Sequence, residues 1–368
     1  MITITPEEYL PRQLTFITTD NCNAKCAHCI MCCSPGAHHS LTFAQMQKFV
    51  DDIISINPLE LVVFSGGEPT LLGEDLFNII AYCSSLGILT RIVTNAFWAK
   101  TRESARSMIR TLRECGLNEI NYSCDDYHLP FIPFSYIKNA WIESKNVGFS
   151  AVVIANSYGN GDTVNPDFIM EQIGERIPLR YDNQGLQSDL PMTATDGTLY
   201  ILSNTTLQRI GRAKYTINDS KFRLVDDETM IKGGCPWLIC QPAISPTGHL
   251  WTCCGLQSDG NQILDLGYIE NKNLSKILDT AGDHIFINAL RYLGPMFLRN
   301  RLMEWNPSLS FRKNYGSNCE VCQDITENPA VLPTLRLHCL ELAQYITLMQ
   351  EKLATEQQKH IQNNESIN

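Results

Sequence analysis

The chain lacks the features that indicate binding to nucleic acid or insertion into a membrane. Its 368 residues include 29 Lys and Arg against 39 Asp and Glu. No run of basic residues offsets the average repulsion from a phosphate backbone. No apolar stretch approaches the ~18 residues needed to span a bilayer. The acidic start, "MITITPEEYL", lacks the basic region and apolar core of a signal peptide. We therefore expect a cytoplasmic protein that binds neither nucleic acid nor membrane.

Cysteine, by contrast, is abundant. The chain has fifteen cysteines, an odd number that cannot all pair, and disulfides are rare in the cytosol. Scattered residues such as Cys83 and Cys115 are typical of small buried hydrophobes. That interpretation does not explain "CNAKCAHCIMCC", residues 22–33, where five cysteines fall within twelve positions. Metal binding is the better hypothesis for this segment.

Hydrophobic patterning predicts strands alternating with helices from residue 13 to about residue 200. Six predicted strands, the last at 178–185, imply a parallel sheet with right-handed crossovers, either doubly wound or an incomplete barrel. In both folds the chemistry lies at the carboxyl ends of the strands. The cysteine loop, "SGGEP", "TN" and "SCDD" follow the first four predicted strands. The expected domains are a barrel over 13–215, a cysteine-rich domain over 216–330 and a helical extension over 331–368.

The cysteine loop places three thiols at Cys22-x3-Cys26-x2-Cys29. Thiolates favour zinc, copper(I) and iron–sulfur clusters. A closed structural zinc site needs four ligands, and three crowded thiols without an obvious fourth favour a [4Fe–4S] cubane with one open iron. Cys32 or Cys33 could supply a fourth ligand, so both alternatives stand at this point.

The triad followed one strand later by "SGGEP" resembles the radical S-adenosylmethionine (SAM) superfamily. The resemblance covers roughly residues 13–215 and implies a partial (β/α)6 barrel. It also implies a [4Fe–4S] cluster on Cys22, Cys26 and Cys29, with SAM chelating the open iron. A flavodoxin- or ferredoxin-type donor would supply the electron that cleaves SAM to a 5′-deoxyadenosyl radical, which abstracts a substrate hydrogen. The cofactor-binding residues expected by this resemblance or by strand-end position are Ser65, Gly66, Gly67, Glu68, Asn95, Ser123, Asp125 and Arg212 (of "GRAKY").

A second group of cysteines resembles the auxiliary-cluster domains called SPASM and Twitch. Gly248-x4-Cys253 and Cys319-x2-Cys322 carry this resemblance, together with Cys235, which is separated from Gly248 by twelve residues. The denser cysteine run of a full SPASM domain is absent, which favours the shorter Twitch form with one auxiliary [4Fe–4S] cluster. A structural zinc ion on the same thiolates is the alternative. The expected ligands are Cys235, Cys253, Cys319 and Cys322, with Cys240 as a rival to one of them.

Three further residues are candidates for catalysis. Cys254 directly follows an expected ligand, and in related epimerases a thiol returns a hydrogen atom to the substrate radical. Asp126 and His128 lie just beyond the end of the fourth predicted strand. The favoured function is modification of a ribosomally made peptide by epimerisation, a thioether or a carbon–carbon crosslink. The alternatives are a dehydrogenase or epimerase for a small molecule such as an aminocyclitol or sugar, and a non-catalytic metal-binding scaffold.

Overall fold

The computed structural model describes residues 10–181, 185–187, 189–190, 193–225, 231 and 233–365. The strands are β1 Gln13–Ile17, β2 Leu61–Ser65, β3 Leu89–Thr94, β4 Glu119–Ser123, β5 Ala151–Tyr158, β6 Leu179–Tyr181, β7 Gly185–Gln187, β8 Leu199–Thr206, β9 Ala243–Ile244, β10 His249–Trp251 and β11 Asp265–Tyr268. The helices are α1 Phe43–Ile54, α2 Glu74–Ser85, α3 Arg102–Glu114, α4 Phe134–Glu143, α5 Pro166–Ile173, α6 Ala213–Thr216, α7 Leu274–Gly282, α8 Ile285–Asn288, α9 Pro295–Trp305, α10 Asn318–Thr326, α11 Val331–Leu337 and α12 Cys339–Glu365. Within the described residues, no helix is both long enough and apolar enough to cross a membrane.

Local sequence signals account for the first crossover helix. The hydroxyl of Thr42 accepts from the backbone N–H of Gln45 at 3.3 Å, and the Gln45 side chain caps the Thr42 N–H in return. This reciprocal capping box satisfies two N–H groups that have no partner within the helix. Helical spacing then places one apolar side of α1 against the sheet. The buried residues on that side are Met46, Phe49, Val50 and Ile53.

The described strands form one sheet in the order β11-β10-β9-β1-β2-β3-β4-β5-β8-β6-β7. Six of them, β1, β2, β3, β4, β5 and β8, run parallel and adjacent, with helices between successive members. This arrangement is the expected partial (β/α)6 barrel. The barrel does not close, because the outer edge of β1 pairs with β9 and the outer edge of β8 pairs with β6.

The sixth barrel strand differs from the sequence prediction. Residues 178–185 were expected to supply it, but β8 pairs with β5 over eight residues, from Ala151↔Leu199 to Tyr158↔Thr206. β6 is a three-residue strand on the outer side of β8. The eight-residue pairing gains more backbone hydrogen bonds than a three-residue segment could provide. The predicted long C-terminal helix is also divided, since α11 ends at Leu337 and α12 begins at Cys339.

The cysteine-rich region extends the same sheet beside β1. β9 runs parallel to β1 in the register Thr15↔Ala243, and β10 returns antiparallel. The segment that follows β10 carries Cys253 and Cys254. The sheet therefore brings the second group of cysteines against the strand from which the first cysteine loop begins.

Candidate active site

The loop after β1 gathers four thiols around one cavity of about 340 Å³. Cys22, Cys26 and Cys33 are buried and Cys29 is half-buried. All four line the cavity, whereas Cys32 is exposed with φ +55° and points elsewhere. The spacing of the triad thus produces the convergence that the sequence predicted, with Cys33 as an additional member.

The two glycines of "SGGEP" allow the backbone after β2 to touch the cysteine loop. A Cβ on Gly67 would lie 1.9 Å from the carbonyl oxygen of Asn21, and one on Gly66 would lie 2.7 Å from that of Thr19. Gly66 also has φ +123°, a region that favours glycine. The N–H of Gly67 donates to the Thr19 carbonyl at 2.7 Å. Glycine is therefore required here by the contact between two loops.

Glu68 lies behind the contact between these two loops and does not line the cavity. Its carboxylate is fully buried and accepts from the Asn95 N–H and the Thr94 hydroxyl, both at 2.8 Å, and from the Thr70 hydroxyl at 2.6 Å. Burial raises the pKa of Glu68, although these hydrogen bonds oppose the shift. Glu68 therefore fixes the strand-end loop that carries Asn95. The Asn95 side chain lines the cavity and donates to Asn23 at 3.0 Å.

Arg212 also holds the cysteine loop from behind. Its guanidinium donates to the carbonyl oxygens of Cys26 and Cys33, and its backbone N–H donates to the carbonyl of Cys29 at 3.0 Å. Gly211 permits this approach, because a Cβ there would lie 2.4 Å from the carbonyl oxygen of Ile30. The "GRA" segment is thus a clamp on the loop backbone, and the Arg212 side chain does not line the cavity.

The residues of the "SCDDYH" segment have different surroundings in the fold. Ser123 and His128 line the cavity. Asp125 is buried beneath it and accepts from His128 Nδ1 at 2.9 Å and from His28 Nε2 at 3.2 Å. Asp126 turns away, accepting from the Thr163 hydroxyl and the Val164 N–H at 2.8 Å each. Neither carboxylate lines the cavity. The geometry therefore does not support the expected catalytic role of Asp126 or the expected SAM contact of Asp125.

The charges of this histidine–carboxylate group are coupled. Burial on its own would raise the pKa of Asp125, but the two histidines outweigh it and hold that pKa below its usual range. Burial would lower the pKa of His128, yet the carboxylate of Asp125 raises it well above the ordinary value. The nearby Cys26 thiol acts in the same direction. His28, which also lines the cavity, was not singled out from the sequence, although it lies inside the cysteine motif.

The second group of thiols converges as well. Cys319 and Cys322 lie one turn apart on α10, which Ser317 caps. The thiol of Cys322 interacts electrostatically with Cys253, Cys319 and Cys235. These are the four residues expected as auxiliary ligands. Cys240 is also near this group, since it contributes to the raised pKa of the Cys235 thiol. Its carbonyl accepts from the backbone N–H groups of Arg12 and Gln13, and its sulfur is 3.6 Å from Arg291.

Both groups of thiols fit a bulky multi-iron cluster better than a single ion. In tetrahedral zinc sites the Zn–S bonds place sulfur atoms ~3.8 Å apart. Among the described residues, no three cysteine sulfurs lie within 4.8 Å of one another. Burial raises the pKa of Cys22 to about 12 and that of Cys319 to about 11. Such thiols are deprotonated when a cationic metal group binds, so the sites suit metal loading coupled to proton release.

Cys254 joins the two regions. Its thiol lines the cavity together with Cys22, Cys26 and Cys29, while its neighbour Cys253 belongs to the second group. The apolar residues packed with it are Ile17, Met31, Ala243 and Trp251. The end of β8 completes the wall with Thr205, Thr206, Leu207 and Gln208. The sequence prediction missed this last segment because it placed the sixth strand elsewhere.

Comparison with known proteins agrees with this geometry. Residues 16–129 match the profile of the Radical SAM superfamily, the segment that contains the cysteine loop, the glycine pair and "SCDDYH". This segment of the chain is a radical SAM domain. As in other radical SAM enzymes, its cofactors are SAM and a [4Fe–4S] cluster.

Individual relatives of this radical SAM enzyme are distant. It is 22% identical over 312 residues to YydG of Bacillus subtilis strain 168, named for peptide biosynthesis, covering 82% of this chain and 88% of YydG. It is 32% identical over 108 residues to Fe-coproporphyrin III synthase of Methanosarcina barkeri strain Fusaro, covering 29% of this chain and 25% of the synthase. Among solved structures, anSMEcpe with bound AdoMet and the Cp18Cys peptide gives a TM-score of 0.48 at 14% identity, covering 92% of this chain and 99% of that one.

Proposed function

We propose that this radical SAM enzyme epimerises a residue of a ribosomally made peptide. The observation that carries the proposal is the position of Cys254, whose thiol lines the same cavity as Cys22, Cys26 and Cys29. An epimerase needs such a hydrogen donor within reach of the radical site. The name of YydG, which aligns with 82% of this chain, supports a peptide as substrate.

The proposed ligands of the SAM-binding cluster are Cys22, Cys26 and Cys29. SAM would lie against the wall formed by Gly66, Gly67, Asn95 and Ser123. Bound there, SAM supplies the 5′-deoxyadenosyl radical that removes a substrate hydrogen atom. An auxiliary [4Fe–4S] cluster would be held by Cys235, Cys253, Cys319 and Cys322, whose convergence supports it. Such a cluster would stabilise a region with short strands and little sheet of its own.

Cys254 completes the proposed cycle. Loss of a hydrogen atom from the α-carbon of a peptide residue leaves a planar carbon radical. The S–H bond of Cys254 breaks and its hydrogen atom forms a new C–H bond on the opposite face, which inverts the centre. The resulting thiyl radical accepts one electron and one proton to restore the thiol. The electron comes from a one-electron donor of the flavodoxin or ferredoxin type, and we expect the protein to work in the cytoplasm, where such donors and reduced thiols occur.

The lining of the cavity favours a peptide over an aminocyclitol. Among the described lining residues, several carry a hydroxyl or an amide, and none carries a carboxylate. Burying an ammonium group without an anionic partner costs several kcal/mol, on the order of 3–5. A neutral peptide backbone can instead be bound by hydroxyls such as those of Ser157, Thr205 and Thr206.

Iron analysis tests the cofactor assignment. After anaerobic reconstitution we expect about eight irons per chain, falling to about four in a Cys22/Cys26/Cys29→Ala variant and to about four in a Cys253/Cys322→Ala variant. A wild-type value of about four would remove the auxiliary cluster. Zinc in place of iron would contradict the proposal as a whole.

Product analysis tests the reaction. The reconstituted enzyme is incubated in D₂O with SAM, dithionite and a precursor peptide encoded beside its gene. Epimerisation predicts a mass increase of one unit for each inverted residue, since one deuterium replaces one hydrogen, and a D-residue on chiral hydrolysis. Cys254→Ala should still release 5′-deoxyadenosine but should incorporate no deuterium at an inverted centre. A crosslink, seen as a loss of two mass units, would overturn epimerisation while retaining a peptide substrate.

A further inference from the structure

A second cavity, separate from the one at the cysteine loop, lies between β11 and α7. Its volume is about 430 Å³, within the range of ~300–1,000 Å³ that is usual for ligand sites. It is lined by residues within 262–266 and by residues within 272–287, and none of them lines the first cavity. We call this cavity the α7 groove. The function proposed above gives it no role.

The floor of the α7 groove is apolar. Ile277 and Ala281 are four positions apart, so they lie on the same side of α7. Ile263, Leu266 and Ile287 also line the groove. Three of these five side chains are buried, whereas Ile277 and Leu266 are half-buried. A ligand with apolar side chains would remove both the remaining exposed surface and its own from water.

Two lysines add positive charge to the groove. Lys272 and Lys276 line it and are exposed. Neither ammonium group has an ion-pair partner among the described residues. The chain as a whole carries a net charge of −10, so an acidic ligand is repelled on average and attracted at a local basic site. The groove therefore favours a ligand that combines carboxylates with apolar side chains.

Nearby carboxylates do not cancel this charge at the groove. Asp265 lines the groove, but its side chain is only 6% exposed. Its carboxylate accepts from the backbone N–H groups of Gly260 and Gly267, both at 2.8 Å. Asp279 and Asp283 are exposed but do not line the groove. The charge that a ligand meets in the groove is therefore that of the lysines.

The strand beside the groove offers backbone groups. β11 ends the described sheet and pairs there only with β10. The N–H of Ile269 donates to the carbonyl of Gly248, and Tyr268 lies opposite His249. In an antiparallel ladder this arrangement directs the N–H and carbonyl of Tyr268 to the outer edge. Extended peptides bind such strand edges through main-chain hydrogen bonds.

We propose that the α7 groove binds an extended acidic segment of the precursor peptide, remote from the residue that is epimerised. Cys254 lines the first cavity and Ile263 lines the groove. Since nine chain positions separate these two residues, their Cα atoms are at most ~32 Å apart. A peptide segment of about ten extended residues spans that distance. Binding in the groove raises the effective concentration of the target residue at the first cavity. The inference rests on the proposed peptide substrate.

The first measurement is the affinity of the reconstituted full chain for a fluorescently labelled precursor peptide encoded beside its gene, by anisotropy. In Lys272→Glu/Lys276→Glu we expect the Kd to rise roughly tenfold at low salt. The difference from wild type should shrink as salt is added. Thr280→Trp, which fills the groove without changing its charge, should also weaken binding. Lys100→Glu/Lys313→Glu is the matched control, because both lysines are exposed and line neither cavity.

Turnover separates remote binding from chemistry. In Lys272→Glu/Lys276→Glu we expect the KM for the precursor to rise while kcat stays unchanged. A shortened peptide that keeps the target residue but lacks the acidic segment should give the same KM with this variant as with wild type. Iron content equal to that of wild type checks that each variant is folded. A fall in kcat with an unchanged Kd would overturn the inference.

The possible outcomes separate the two proposals. If wild type neither binds nor epimerises the precursor, the proposed function and this inference fail together. If wild type epimerises the precursor and Lys272→Glu/Lys276→Glu binds it as tightly, the inference alone is overturned. Sedimentation tests a second copy of this chain as the occupant. A wild-type dimer that dissociates in the lysine variant would overturn the assignment to a peptide.

Discussion

The guanidinium of Arg212 donates to the carbonyl oxygen of Cys26 at 2.7 Å, although 186 positions separate the two residues. The same group donates to the carbonyl of Cys33, so one side chain spans the cysteine loop from its second cysteine to its last. A loop without regular secondary structure has few backbone partners of its own. Its shape before any metal binds therefore depends on a segment beyond the last barrel strand.

Replacing Arg212 by lysine should loosen the cysteine loop. A lysine ammonium cannot match the planar fork that reaches two carbonyls, and one half-buried acceptor would lose its partner. We expect a loss of ~1–3 kcal/mol in the free energy of unfolding of the metal-free chain and a lower iron content after reconstitution. Urea titration and iron analysis measure both quantities. Arg106→Lys, on the surface against Glu143, is the control; equal effects in the two variants would contradict the clamp.

Gly67→Ala should prevent the cysteine loop from closing on the glycine pair. Its Cβ would lie 1.9 Å from a backbone oxygen of Asn21, so the backbone must move. We expect destabilisation of several kcal/mol, at the large end of single substitutions, ~3–5, and failure to bind SAM in equilibrium dialysis. Gly36→Ala is the matched control in the same loop. It has φ +83° but no atom within 4 Å of the added Cβ, so it should cost only ~1–2 kcal/mol. Similar losses in the two variants would refute the steric argument.

These contacts show where the sequence was informative and where it was not. The cysteine spacing predicted the converging thiols, because a short loop confines its own residues. The strand-end rule correctly brought Asn95 and Ser123 to the cavity. The strand-end rule failed for Asp125, because the alternation of strands and helices does not reveal that this carboxylate pairs with two histidines beneath the cavity. Arg212 was assigned to a cofactor or substrate, and its contacts with loop carbonyls depend on packing across the whole domain.

The prediction of the sixth barrel strand was wrong for a related reason. Local patterning does not identify "LYILSNTT", residues 199–206, as a barrel strand, because its last residues are polar. Its assignment depends on an eight-residue register with β5, a pairing that no local pattern specifies. Since the end of this strand lines the cavity, the error also concealed Thr205 and Gln208 as candidate substrate contacts.

Glu320→Gln should weaken the junction between the barrel and α10. Glu320 is fully buried between the two cysteines of that helix. Its carboxylate accepts from the backbone N–H of Arg209 at 2.8 Å and of Gly316 at 3.0 Å. An amide supplies one oxygen for these two donors and buries an NH₂ group without a matching acceptor. We expect a loss of ~2–4 kcal/mol and preferential loss of the auxiliary irons. Glu304→Gln, at an exposed position of α9, is the control, and retention of all irons in Glu320→Gln would contradict the expectation.

Glu143 gives a prediction about pH. Burial would raise its pKa, but hydrogen bonds and ion pairs with Arg106 and Arg102 lower it below the ordinary value of 4.5. A carboxyl group with a lowered pKa in the folded state stabilises the fold above its unfolded pKa. That contribution is lost as the pH falls through the lowered value. Glu143→Gln should therefore cost ~1 kcal/mol at pH 7, and the difference from wild type should shrink below pH ~4. Urea titrations at several pH values measure it; a difference that grows in acid would refute the sign.

Cys33 decides whether the first cluster has three cysteine ligands or four. Its buried thiol lines the cavity beside the triad, so position alone would permit ligation. Its sulfur also lies 3.9 Å from the Thr19 carbonyl and 3.7 Å from that of Met31, contacts typical of a protonated thiol that donates. We expect Cys33→Ala to retain about eight irons, whereas Cys26→Ala loses about four, with Cys32→Ala as the exposed control. The EPR signal of the reduced Cys33→Ala protein should still change on addition of SAM. If Cys33→Ala instead loses as much iron as Cys26→Ala, Cys33 is a ligand, and SAM must displace it to reach the fourth iron.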